Sequence, residues 1–149
     1  TLFAHMEEID YHWKCHLNNY DVYVEPEAVI YHKGGETLKY GSYQKVYLNH
    51  RNSLILFLTN NKNLSLFTIF KRFLLEILAI FYYLFTLQIK SAIAVKMGGL
   101  WCLANIRYLR KRKKQIQSKV TINSELMAPY SIVKKYFLNK KRFYKNINQ

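Results

Sequence analysis

The spacing of apolar residues changes along the chain and predicts a different element in each stretch. Ile9, Trp13 and Leu17 recur at i, i+4 and i+8, one face of a short amphipathic helix over 6–18. Asn18-Asn19 closes it, because Asn tolerates the left-handed backbone on which helices end. Asp21-Val22-Tyr23-Val24, cut short by Pro26, and residues 28–32 are brief runs rich in β-branched and aromatic residues, which predict two strands. Lys33-Gly34-Gly35-Glu36 reads as a loop whose paired glycines permit unusual backbone angles or a close approach to a ligand. From Ser42 the period turns helical: Val46, Tyr47, Leu54, Ile55 and Leu58 suit one face of a helix near 42–59, broken by Asn60-Asn61-Lys62-Asn63. Leu64 to about Val95 is strongly apolar and aromatic, Gly98-Gly99 predicts a bend, and a further helix runs from 100 into 107–114. Pro129 opens a last basic amphipathic stretch, in which Ile132, Val133, Tyr136 and Phe137 alternate with lysines. No internal repeat is visible. Strands set among helices predict an α+β fold.

Charge divides the chain more sharply than hydropathy does. The 149 residues allow one ordinary domain, and half of them are hydrophobic, enough for a core. Residues 1–60 hold five Lys/Arg and seven Asp/Glu, a net of −2, while residues 61–149 hold eighteen and two, a net of +16. A basic half of this size points to a polyanionic partner, either nucleic acid or an anionic membrane surface. Cys15 and Cys102 are too few and too far apart for a disulfide framework or a metal motif, and read as buried or idle thiols of a reducing compartment. The chain opens at Thr1 with no basic-then-apolar leader, and is read as the back part of a longer protein.

The apolar stretch narrows the choice of partner. Residues 73–89 carry one charge, Glu76, and would extend roughly 26 Å as a helix, slightly under the ~30 Å hydrocarbon core of a bilayer. Lys71 and Arg72 precede this stretch and Lys90 follows it. Arg107, Arg110, Lys111, Arg112, Lys113 and Lys114 then place six bases in eight positions, a cluster attracted to anionic headgroups at ~1 kcal/mol per base. Peripheral attachment in the membrane plane is expected, with a short span or a buried core helix as alternatives. Lys71, Arg72 and the six bases of the run are the expected membrane contacts.

The chemistry-bearing residues come early. On the predicted first helix Glu7 and Asp10 are i, i+3 neighbours, Asp10 and Lys14 are i, i+4 neighbours, and Glu8 points about 100° away from Glu7. Two readings stand: an acidic first turn stabilised by the helix dipole, or carboxylates poised by their mutual repulsion for general-base work.

The run Phe3-Ala4-His5-Met6-Glu7-Glu8-Ile9-Asp10 resembles the block before the acceptor helix in family 2 glycosyltransferases of the GT-A type, the bacterial rhamnosyltransferase-like members among them. Asn18-Asn19-Tyr20-Asp21-Val22-Tyr23-Val24-Glu25-Pro26 resembles the turn and strand that follow. Val29-Ile30-Tyr31-His32-Lys33-Gly34-Gly35-Glu36-Thr37 resembles the next strand, its His and a Gly-rich loop, and Tyr47-Leu48-Asn49-His50-Arg51-Asn52 an Arg-Asn helix start. The detailed similarity covers about residues 1–60. It implies that this part is the acceptor-side, C-terminal end of a GT-A catalytic domain, and that residues 61–149 are a mostly helical, basic, membrane-associating tail.

By that resemblance Glu8 matches the catalytic base, usually Asp. Glu7 matches an orienting or acceptor-binding acid, and Asp10 a partner for acceptor or helix contacts. Lys14 stands where Arg is more usual, which weakens any bidentate contact there. His32, Gly34, Gly35 and Thr37 match a donor-side strand end and loop, with His32 a possible metal ligand or else a strand-end histidine bonded to backbone. Arg51 matches a diphosphate contact or a solvated helix arginine. The implied activity is transfer of a sugar, with inversion, from a nucleotide-sugar donor to a glycan or lipid-linked acceptor in cell-surface polysaccharide synthesis, at the cytoplasmic face of the cell membrane. Such enzymes hold Mg²⁺ or Mn²⁺ with an Asp-x-Asp motif, and none occurs here, so the isolated chain is expected to be inactive.

Rivals come from other classes. Lys134-Lys135-Tyr136-Phe137 and Lys140-Lys141-Arg142-Phe143-Tyr144 interleave bases with aromatics in a way that suits nucleic acid. No helix-turn-helix, zinc-finger or RNP pattern accompanies them, and the apolar stretch and acidic first helix argue against that partner. A non-catalytic membrane-anchored module is the third reading.

Overall fold

The computed structural model describes residues 2, 4–31, 38–61 and 64–117. Five helices follow one another: α1 (Glu7–Leu17), α2 (Tyr43–Asn60), α3 (Leu66–Phe85), α4 (Ile89–Ala104) and α5 (Ile106–Gln117). Helix makes up 72% of the described residues and none lies in a strand, so the expected α+β architecture, a GT-A end with its strands, is overturned in favour of an all-helical one. The two predicted strands fail for a physical reason. A strand needs a neighbour to complete its ladder, and residues 20–31 run over the surface with Tyr23, Val24, Ile30 and Tyr31 exposed. Their propensity is real, but no described edge accepts them. Residues 32–37 and the predicted basic stretch after Pro129 lie outside the described residues.

The helix boundaries follow local chemistry. The Ser42 and Ser65 hydroxyls accept from the backbone N–H of Lys45 (3.3 Å) and Thr68 (3.1 Å), capping α2 and α3. Asn18 ends α1, with Asn19 in left-handed backbone at φ 58°, as the Asn-Asn pair predicts. The long apolar stretch is two helices, since Leu87 turns left-handed (φ 58°) between α3 and α4. The bend expected at Gly98-Gly99 does not occur, because α4 runs straight through both and the chain breaks at Asn105 instead. Gly98 serves close approach: a Cβ there would stand 3.1 Å from the Arg51 backbone nitrogen. Ser91, Ala92, Ala94, Val95, Gly98 and Cys102 form the small-residue face that lets α4 lie against α2.

α2 is the central helix, packed on α4 and α5, with α3 against α4. Leu54 and Ile55 are wholly buried, and their cluster includes Leu2, Leu56, Cys102 and Leu109. The compositional boundary near residue 60 is therefore crossed by one core.

α3 is arranged inside out. Its one buried residue is its one acid, Glu76, while Phe67, Phe70, Leu75, Leu78 and Phe81 are half or more exposed. Glu76 is held by Arg72 and by His50 Nδ1 (2.6 Å), and Arg72 also donates to the Ser53 hydroxyl (3.0 Å). Arg72 and Glu76 face α2, while much of the hydrocarbon of α3 is exposed, as are Ile93, Met97, Leu100 and Leu103 of α4. No helix among the described residues is long and apolar enough to cross a membrane, which removes the short-span alternative there.

Candidate functional site

The acidic helix begins on unusual backbone. Ala4, His5 and Met6 all have positive φ (47°, 68° and 67°), three consecutive non-glycine residues in the left-handed region. Each costs about 1–2 kcal/mol, so something must hold the turn. The holder is Asn52, fully buried in the middle of α2, whose Nδ2 donates to the carbonyls of Ala4 (2.9 Å) and His5 (3.0 Å). Arg51 braces it in turn, with Nε and Nη2 donating to Asn52 Oδ1 at 3.1 and 2.9 Å. The Arg51 guanidinium lies 5.2 Å from the ring centres of both Tyr47 and Trp101. The Arg-Asn pair singled out in the sequence thus sets the entry to α1, and Arg51 is taken up by Asn52 and two aromatic rings.

The three carboxylates then diverge. Asp10 is 2% exposed and fully engaged: Oδ2 accepts from Lys14 Nζ (2.7 Å) and Oδ1 from Arg112 Nη2 (2.5 Å). Burial raises its pKa, but the hydrogen bond from Lys14 and the charges of Arg112 and Lys14 outweigh that and hold it below the ordinary carboxylate value. It is a fixed anion and a poor base. Glu8 is exposed, and Glu7 is partly buried with Oε2 enclosed and unpaired among the described residues. Both line an open cleft of about 390 Å³ with Leu2, Asp10, Tyr11, His12 and Lys14. The i, i+3 and i, i+4 geometry expected for Glu7, Asp10 and Lys14 holds, with Lys14 serving Asp10.

The expected cation contacts separate into two groups. Lys71, Arg107, Arg110, Lys111 and Lys114 are exposed, and Lys113 is partly so. Arg112 is a correction: it lies on the stripe of Leu109 and Ile116, buried, with Nε donating to Thr59 Oγ1 (3.2 Å) besides its bond to Asp10. Arg72 is likewise drawn inward to Glu76 and Ser53. Asn52 and Arg112 escape a reading by residue type. The i, i+3, i+7 spacing of Leu109, Arg112 and Ile116 was the available signal for the second.

His32, Gly34, Gly35 and Thr37, the expected donor-side residues, lie outside the described residues. Among the described residues no group of three His, Cys, Asp or Glu is placed to hold a metal ion. Both cysteines are free thiols. No family model, curated protein or solved structure matches the chain.

Proposed function

We propose that this chain forms the acceptor side of an inverting glycosyltransferase attached in the plane of a membrane, with Glu8 as the base. The observation that carries the reading is the division of labour on α1. Asp10 is held ionised as an anchor by Lys14 and Arg112, while Glu8 is exposed and lines the cleft, available to take a proton from an acceptor hydroxyl. Glu7 lines the same cleft and is assigned the orienting or acceptor-binding role. The ordered resemblance of residues 1–60 to family 2 enzymes supports the same assignment. Nucleotide and metal binding fall to a donor-binding unit outside the described residues.

Membrane attachment is supported by the exposed apolar residues of α3 and α4 and by the exposed cations of α5. Exposed apolar side chains in this number are costly in water, and exposed cations favour anionic lipid. The proposed location is the cytoplasmic face, where nucleotide sugars are available to a lipid-linked acceptor. The test is a transfer assay with the native membrane fraction, labelled nucleotide sugars and extracted lipid acceptors. Label in the lipid or glycan pool that disappears on removal of this gene supports the reading, and unchanged transfer contradicts it.

A further inference from the structure

α5 carries six cations and no acid. Arg107 stands beside Arg110 and Lys111, and Arg110 beside Lys113 and Lys114, at the i, i+3 and i, i+4 spacings where like charges destabilise a helix. Only Arg112 of the six turns inward, to reach Asp10 and Thr59. Thr59 in turn donates its hydroxyl to the Ile55 carbonyl (2.7 Å), which ties Arg112 into α2. At the other end of the contact, Asp10 and Leu17 are the only buried residues of α1, so the Arg112 ion pair is a large share of what fixes that helix. Asp10 follows Glu8 by two positions. The helix that repels itself most is therefore the one that holds the acidic helix in place.

We infer that α5 makes the geometry of α1 depend on an anionic lipid surface, with Arg112 as the positioning residue. Headgroups against the exposed cations relieve their mutual repulsion and stabilise α5. That keeps Arg112 seated on Asp10 and fixes the acidic start of α1. The inference rests on the membrane-attachment part of the proposed function and is independent of which reaction α1 serves.

The experiment is hydrogen exchange of α1 amides in the whole chain, free and with phosphatidylglycerol–phosphatidylcholine or pure phosphatidylcholine vesicles, alongside cosedimentation. On anionic vesicles the α1 amides should exchange about tenfold more slowly, the scale expected from securing one buried charged hydrogen bond. Arg112→Lys keeps the charge but lacks the fork that reaches both Asp10 and Thr59, so it should bind vesicles equally and lose most of that gain. The triple change Arg110→Gln, Lys111→Gln, Lys114→Gln, all at exposed positions that leave the fold intact, should lose both binding and gain. Binding to anionic vesicles with α1 exchange unchanged, an equal gain on neutral vesicles, or an undiminished gain in Arg112→Lys overturns the inference. Absence of vesicle binding by the native chain would overturn the attachment reading itself. If Arg112→Lys does not fold, the comparison of neutral with anionic vesicles and the triple variant decide the outcome.

Discussion

Asn52 shows how one residue can set a site it does not line. Removing its amide takes the Asn52 donor from two part-buried carbonyls and frees a turn that is strained at three successive residues. Asn52→Ala should cost about 2–3 kcal/mol by urea titration. Asn52→Asp, of the same shape but with acceptors facing carbonyls, should cost as much, and a silent Asn52→Asp would refute the clamp. Gly98→Ala should destabilise by about 1–3 kcal/mol, because the added methyl meets backbone, which cannot rotate away. Burial pushes the Cys102 thiol up to about 11, while Cys15 is partly exposed, so alkylation of the native protein should label Cys15 first and Cys102 only on unfolding. At this scale the sequence displayed the acids and the Arg-Asn pair but not their partners. Asp10 and Arg112 are 102 positions apart, and no local pattern joins them.

Helix positions were legible because apolar spacing and Asn pairs agreed over Glu7–Leu17 and Tyr43–Asn60. The strands were not, because β propensity describes a side chain's fit to a pleated surface and does not supply the neighbouring strand. Nor was the role of Gly98, since a glycine that admits a neighbouring helix looks like one that ends a helix. Two polar contacts fasten the elements and should fail in acid. Glu76 and Asp10 are both lowered from their ordinary 4.5 and 3.8, since attraction by His50 and Arg72, and by Lys14 and Arg112, exceeds the opposing effect of burial. Their contribution is complete above those values and is lost as pH falls through the lower, folded ones. The urea midpoint should therefore be flat above about pH 5 and drop below it, with a shallower drop in Asp10→Asn. The α3 face separates hydrophobic from electrostatic attachment. Phe70→Gln, Leu74→Gln and Phe81→Gln, at exposed positions, should weaken binding to neutral and anionic vesicles alike. Loss on anionic vesicles alone would mean that charge does the work without insertion.

For the whole molecule, one helical core joins an acid-rich entry to an apolar and cationic exterior, and the partner proposed for these two faces is a sugar acceptor at a membrane. Nucleic acid would use the cations but leave the apolar face of α3 without a role, and salt-dependent oligonucleotide binding stronger than vesicle binding would favour it. The account turns on Glu8, which is exposed, whereas Asp10 is buried and held by Lys14 and Arg112. The most direct measurement of the proposed activity is the rate of nucleotide-sugar turnover by the native membrane fraction carrying Glu8→Gln in this protein, with Glu7→Gln in parallel. Glu8→Gln keeps the shape and removes the basicity, so kcat should fall by roughly 10²–10⁴ with donor KM little changed, while Glu7→Gln should act mainly on acceptor KM. Near-normal turnover in Glu8→Gln would contradict the assignment and with it the central claim.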